Sequence, residues 1–321
     1  MTRDDRTSKA DQRGALRDDP VEWTVTGAIA SLTRIGDLLR FATSRFLEAG
    51  LDFRSGMGSA DLDAAFLIAE LLHLEPAALA DQLDARVVPG EARRILEVVR
   101  ERCEGRRPLA YLLGATWYCG HRLRVDERAL IPRSAVGTML EDVFLAYDPE
   151  GPWRILDIGT GNGGIAVAYA SHFPNATVVA TELCPDALAL ARENMELHGL
   201  TDRVELRQGD LYDCLEEGER FDWILCNPPY VSEDFRQVRA PESGFEPDVA
   251  LFGGEDGLKL ILRLLDGAPA HLHDDGRLVF ETGEITGERL REERPELRGE
   301  WWLHPESETP VAVMLRKDEL G

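Results

Sequence analysis

From Gly151 onward the chain alternates between two kinds of segment. Five short apolar runs, WRILDIG, ATVVATE, RVELRQGD, FDWILCN and GRLVFET, have helix-like segments between them at Gly164 to His172, Pro185 to His198 and Glu255 to His271. Strands alternating with helices require crossover connections, so this pattern dictates a mostly parallel sheet covered on both faces, an α/β fold. GEWWLH and VAVMLR add two late strands.

Upstream the pattern is helical. RIGDLLRFATSRFLEAG places Ile35, Leu38, Leu39, Ala42, Phe46 and Leu47 on one broad face and ends at Gly50. SADLDAAFLIAELLHL opens with Ser59 as an N-cap and acids in its first turn. PGEARRILEVVRERCEG starts near Pro89 and closes at Gly105. ATWYCGHRLRVDERALIPRS, with alternating and aromatic residues around Gly120, reads as a β-hairpin. The expected organisation is a disordered tail over 1–30, an all-helical domain over 31–115, a β-hairpin linker over 116–150 and an α/β catalytic domain over 151–321.

The formal charge of −23 gives a surface that repels nucleic acid and anionic membrane and favours basic partners. No stretch is apolar for the roughly 18 residues that a membrane span requires. Five widely spaced cysteines with no CxxC form neither a disulfide framework nor a zinc cluster, which fits a reducing cytoplasm. His271 and His273 lie at a helix end, and Cys119 and His121 have no visible further ligands, so no metal site is expected. Cys226 reads as a small packing residue.

Chemistry in such folds sits at the carboxyl ends of the strands. The first end, LDIGTGNGG, places Gly159, Gly161 and Gly164 in a G-x-G-x-x-G spacing that lets backbone turn sharply and approach a ligand. Glu182 ends the next strand, where a carboxylate can accept both hydrogen bonds of a ribose diol. Asp210 ends the third, placed to accept from an adenine amino group, with Leu211 beside the ring. Together they predict an adenosine-bearing cofactor.

The fourth end is Asn227-Pro228-Pro229-Tyr230. A strand must stop at two residues without N–H groups. Hydride transfer has no evident use for this tetrad, whereas methylation of a planar –NH2 group does. The nitrogen of such a group is a poor nucleophile because its lone pair is delocalised. The Asn227 side-chain oxygen and the Pro228 carbonyl can each accept one N–H, which aims the nitrogen and stabilises the positive charge developing there. The prolines stiffen that geometry, and Tyr230 offers a face for the planar group.

NPPY together with LDIGTGNG resembles the class I S-adenosylmethionine-dependent methyltransferases that modify amide or amino nitrogen. RRPLAYLLG, LIPRS and FEPDVALFGGEDGLKL narrow the resemblance to the protein-glutamine N5-methyltransferases, the HemK/PrmC/PrmB group, across Ser31 to Leu315. The resemblance implies a Rossmann-like, mostly parallel seven-stranded sheet, S-adenosyl-L-methionine as cofactor, and a helical domain that docks the protein substrate. TWYCGHRLRVDERALIPRS is closer to the branch that methylates the third protein of the large ribosomal subunit. In the release-factor branch the Pro-Arg pair is followed by a proline and a Thr-Glu pair; here Ser134, Ala135 and Val136 follow Pro132-Arg133.

Carried over by position, Gly159, Thr160, Gly161, Asn162 and Gly163 would hold the methionine part of the cofactor. Asp157 and Asn227 belong to the same set. Glu182, where the family often has aspartate, would bind the ribose, and Asp210 with Leu211 the adenine. Asn227, Pro228, Pro229 and Tyr230 would hold the glutamine amide. The implied partner is a basic protein of the translation machinery, a ribosomal protein before a release factor, with no direct nucleic-acid substrate and no membrane. Two rival readings share part of the pattern. A nucleic-acid amino methyltransferase would need a basic groove, which is not evident. A binder that keeps the fold without turnover need not take the cofactor.

Overall fold

Seven strands form one sheet: β3 (Arg154–Ile158), β4 (Thr177–Glu182), β5 (Val204–Gln208), β6 (Phe221–Cys226), β7 (Leu272–Glu281), β8 (Glu300–Leu303) and β9 (Pro310–Arg316). Their order across the sheet is β5-β4-β3-β6-β7-β9-β8. β3 to β7 run parallel, and β9 pairs antiparallel with both β7 and β8. A second sheet is the antiparallel hairpin of β1 (Ala115–Tyr118) and β2 (His121–Arg124), turned through Cys119 and Gly120 at φ 48° and 76°. These observations come from a computed structural model that describes residues 23–139, 147–303 and 308–320.

The described chain divides into two units. One takes residues up to Leu51 together with Ala60–Glu104; the other takes Asp52–Ser59 and everything from Gly105. The first unit contains α1 (Val25–Ile29), α2 (Ile35–Glu48), α3 (Ala60–Leu72) and α4 (Pro89–Gly105, its last residue counted with the second unit). Ile35, Leu38, Ala42 and Phe46 of α2 are buried with Leu67 and Ile68 of α3 and Ile95, Leu96 and Val99 of α4. Leu47 departs from the expected face and is 63% exposed, because the helical period carries it past the edge of the apolar stripe. α1 lies inside the stretch expected to be tail: the Thr24 hydroxyl caps it at Gly27 N, and Trp23 meets Phe41 edge-on at 5.0 Å. Residues 1–22 of that expected tail lie outside the described residues. The Asp52–Ser59 stretch and residues 105–115, expected within the helical domain, group with the second unit.

In the second unit the short helices α5 (Leu109–Leu113) and α6 (Ala135–Thr138) flank the hairpin. They are followed by α7 (Gly164–His172), α8 (Pro185–Leu197), α9 (Asp248–Leu251), α10 (Lys259–His271) and α11 (Glu284–Glu293). Strand residues alternate between two cores, as a period of two demands. Ile155, Val178, Ala180, Trp223, Leu225 and Val279 pack in the core that contains α7, and Leu156, Ile158, Val179, Ile224, Leu278 and Phe280 in the core that contains α10. α7 is apolar nearly all round and buried along most of its length, the pattern of a helix sunk against a sheet. α10 begins at Lys259 rather than near Glu255, because Gly254 and Gly257 take φ of 98° and 83°. Among the described residues no helix is long and apolar enough to cross a membrane.

Candidate active site

Strand register brings the four predicted ends together. Ile158 pairs with Thr181 and with Cys226, and Glu182 with Gln208. The next residue on each strand, or the paired residue itself, therefore reaches one rim: Gly159, Glu182, Gly209 and Asn227. Strand order reverses between β3 and β6, which is where an open parallel sheet leaves its crevice. A cavity of about 410 Å³ lies there, lined by Gly159, Thr160, Gly161, Asn162, Glu182, Asp210, Leu211, Asn227, Pro228 and Pro229 among others.

The glycine loop is built as a cradle. Gly159 and Gly161 take φ of 68° and 58°, where side chains are strained. A Cβ on Gly159 would meet nothing within 4 Å, and one on Gly161 only the Ala129 methyl at 4.0 Å, so the room beside this backbone is open to a ligand. Gly163 differs, since its Cβ would lie 2.6 Å from Met195 Cε; its job is packing on α8. Asn162 is buried, accepts from Gly164 N at 3.0 Å and offers its backbone carbonyl to Asn194 Nδ2 at 2.8 Å.

Asp157 does not line the cavity. It is fully buried beneath the loop and accepts the Thr160 hydroxyl at 2.6 Å. Burial raises its pKa to about 7, with Glu182 adding to the rise and the Thr160 hydroxyl and Ala166 amide opposing it. Glu182 accepts Gly161 N at 2.9 Å on Oε2 and Cys184 N at 2.8 Å on Oε1, each oxygen keeping a second lone pair for a ribose hydroxyl. Asp210 bonds Arg263 Nη2 through Oδ2 at 3.0 Å, leaving Oδ1 for a donor in the cavity. Leu211 holds φ 53° and is buried against that wall. These features fit an adenosine cofactor with an anionic and ammonium tail: open backbone, a diol acceptor, an amino acceptor and an apolar face.

At the elbow after β6 the Asn227 side-chain oxygen is buried and accepts no hydrogen bond. A buried acceptor left without a donor costs on the order of 1–3 kcal/mol, and this one stands in the cavity wall, where a ligand's N–H could satisfy it. Tyr230 is placed differently from Asn227, Pro228 and Pro229. It is absent from the cavity lining, and its hydroxyl donates to Glu281 Oε1 at 2.7 Å. Burial and the neighbouring Glu281 push the tyrosine pKa well above its ordinary value, so it remains a donor. Cys226 is likewise held protonated, first by burial and then by Asp157, Glu182 and Glu281, as a packing residue is.

Several site residues escape sequence reasoning. Ala129 to Ser134, read as linker, contribute five residues to the cavity wall. Two tyrosine hydroxyls pin this segment, Tyr111 on Ala129 O at 2.7 Å and Tyr118 on Ser134 O at 2.8 Å, and a third, Tyr169, holds Val136 O just beyond it at 3.0 Å. Arg133 forms a bidentate pair with Glu246 at 2.6 and 3.0 Å, and Glu246 also accepts the Ser55 hydroxyl at 3.1 Å. Gly253 and Gly257 let their segment press on the elbow, since a Cβ there would lie 2.3 Å from Pro229 O and 2.2 Å from Tyr230 O. That contact gives FGGEDG its physical reason. Glu281 had a usable signal: it ends an apolar strand run, as Glu182 does.

Residues 144–242 match the family model described as methyltransferase small domain, and residues 37–114 match the PrmC N-terminal domain. The chain is 38% identical over 288 residues to the ribosomal protein uL3 glutamine methyltransferase of Bordetella pertussis, covering 89% of this chain and 96% of that protein. It is 41% identical over 257 residues to the protein of the same name from Burkholderia pseudomallei, covering 78% and 84%. The Bradyrhizobium diazoefficiens protein of that name is 39% identical over 289 residues, covering 87% and 90%. Among solved structures, the 16S rRNA N2 G1207 methyltransferase of T. thermophilus, in complex with AdoMet and guanosine, gives a TM-score of 0.44 at 18% identity, covering 63% of this chain and 49% of that one.

Proposed function

This chain belongs to the protein-glutamine N5-methyltransferase family, and on that premise we propose that it methylates the side-chain amide of one glutamine in the ribosomal protein uL3. The observation that carries the reaction is the buried, unbonded Asn227 side-chain oxygen in the cavity wall. It accepts one amide N–H of the glutamine, and the Pro228 carbonyl accepts the other. Two fixed acceptors orient the nitrogen and stabilise the positive charge that grows on it. Gly159, Gly161, Glu182, Asp210 and Leu211 hold S-adenosyl-L-methionine, which supplies an electrophilic methyl group when bound. The apolar prolines and the pinned linker segment keep water from the reacting nitrogen.

The choice of uL3 is supported by the relatives' substrate and by charge. A chain of formal charge −23 attracts a basic ribosomal protein. The test offers purified enzyme free uL3, mature ribosomes, a release factor and DNA side by side with labelled methyl donor. The expected product is one methyl on a glutamine of free uL3, located by peptide sequencing. Labelling of the release factor alone would reassign the substrate, and labelling of DNA alone would overturn the amide reading.

A further inference from the structure

Glu281 sits at the fifth position on the catalytic rim. Phe280 pairs with Cys226, so Glu281 and Asn227 leave their strands side by side. The Glu281 side chain is almost wholly buried, and its carboxylate accepts three hydrogen bonds. Tyr230 Oη donates to Oε1 at 2.7 Å; Ser134 Oγ and Ala135 N donate to Oε2 at 2.7 and 2.9 Å. One carboxylate thus ties the Asn227–Tyr230 elbow to the segment that carries Pro132, Arg133 and Ser134. Both are walls of the same cavity, and they lie far apart in sequence.

We propose that Glu281 is a positioning residue for methyl transfer, which acts through Tyr230 and Ser134 to fix the distance between the two cavity walls and so aim the Asn227 oxygen. The proposal rests on the assignment of Asn227 to the amide. The rest of the elbow is already held on its backbone side. Thr286 Oγ1 donates to Tyr230 O at 2.7 Å, Gly257 and Gly253 press on the carbonyls of Tyr230 and Pro229, and Gly283 leaves a slot for the Tyr230 ring. The Tyr230 hydroxyl, at the far end of its ring, adds a side-chain tether to this backbone anchorage. Asn227 makes no hydrogen bond through its oxygen, so its aim comes from the chain that carries it.

A role in stability alone makes a different forecast. In that case Tyr230→Phe and Glu281→Gln would lower the melting temperature and leave the rate of the folded enzyme intact. Positioning requires the rate of the folded enzyme to fall while cofactor binding holds, because Glu281 is absent from the lining of the cofactor cavity.

The experiment measures single-turnover methylation of uL3, KM for uL3 and calorimetric cofactor affinity. It compares wild type, Tyr230→Phe, Glu281→Gln, the double variant and Asn227→Ala. Each single clamp variant is expected to lose about ten-fold or more in turnover with cofactor Kd within about two-fold of wild type. The double variant should fall no further than the slower single, because both break one linkage. Tyr230→Phe removes one oxygen atom and carries the test if Glu281→Gln does not fold. Multiplying losses, or wild-type turnover in folded Tyr230→Phe, would overturn the proposal while a slow Asn227→Ala left the amide reading standing. Wild-type turnover in Asn227→Ala would overturn the amide reading and the positioning role with it.

Discussion

The Gly161 amide donates to Glu182 Oε2 at 2.9 Å, so the glycine loop after β3 is closed onto the acid that ends β4. One carboxylate therefore shapes the loop and lines the cavity proposed to take the ribose. Glu182→Ala removes both functions. Charge-assisted hydrogen bonds contribute about 1.5–3 kcal/mol each, so cofactor affinity should fall by at least about ten-fold. Calorimetry on the folded variant checks this, and unchanged affinity would remove Glu182 from the cofactor site.

Gly161→Val adds a branched side chain at φ 58° in space that holds only Ala129 Cβ, 4.0 Å from the new Cβ position. The protein should fold with a strain of about 1–2 kcal/mol, and cofactor binding should be lost because the valine fills the cradle. Titration with S-adenosyl-L-methionine, alongside a circular dichroism melt, separates the two effects. A folded variant that binds normally would show that the loop does not approach the ligand.

Asp157 gives the fold a pH signature. Its pKa of about 7 lies above the ordinary 3.8, so the folded state binds more protons than the unfolded chain between those values. Stability from this group is full below the unfolded value and is lost as pH rises through about 7, with a slope of at most about 1.4 kcal/mol per pH unit. Asp157→Asn keeps an acceptor for Thr160 and abolishes the slope. Denaturant melts of both proteins from about pH 5 to pH 8 test it; parallel pH profiles would show that Asp157 takes up no extra proton on folding in this range.

Electrostatic docking of a basic substrate on a chain of charge −23 should be screened by salt. The second-order rate with free uL3 should fall several-fold as ionic strength rises from about 0.05 to 0.3 M, while the single-turnover rate at saturation stays level. A salt-independent second-order rate would mean that apolar contacts alone bring the partners together.

What the sequence made legible was local. Each strand run ends in or just before a residue singled out from the sequence, and Gly159, Glu182, Asp210 and Asn227 all line one cavity. Periodicity located α7 at Gly164–His172 because one apolar helix bounded by glycine and a loop leaves little choice. What stayed hidden depends on partners far away in the chain. Glu281 meets Tyr230 and Ser134, Glu246 meets Arg133, and Gly257 makes room for the Tyr230 carbonyl. No spacing rule relates such residues before the sheet has set its register. The Ala129 to Ser134 segment read as a linker for the same reason, since its irregular backbone is held by tyrosine hydroxyls rather than by its own pattern. Tyr230 was expected at the substrate face, but its neighbours turn its hydroxyl toward Glu281.

The most direct measurement is single-turnover methylation of uL3 by Asn227→Ala, paired with calorimetric cofactor affinity. Removing one preorganised acceptor at the reacting nitrogen should cost on the order of 3 kcal/mol, by analogy with loss of one oxyanion-hole donor, so the rate should fall about a hundred-fold or more. Cofactor affinity should change far less, because the glycine loop, Glu182 and Asp210 remain in place. A folded Asn227→Ala enzyme that transfers methyl to the glutamine at the wild-type rate would show that Asn227 only ends a strand, and would contradict the amide clamp.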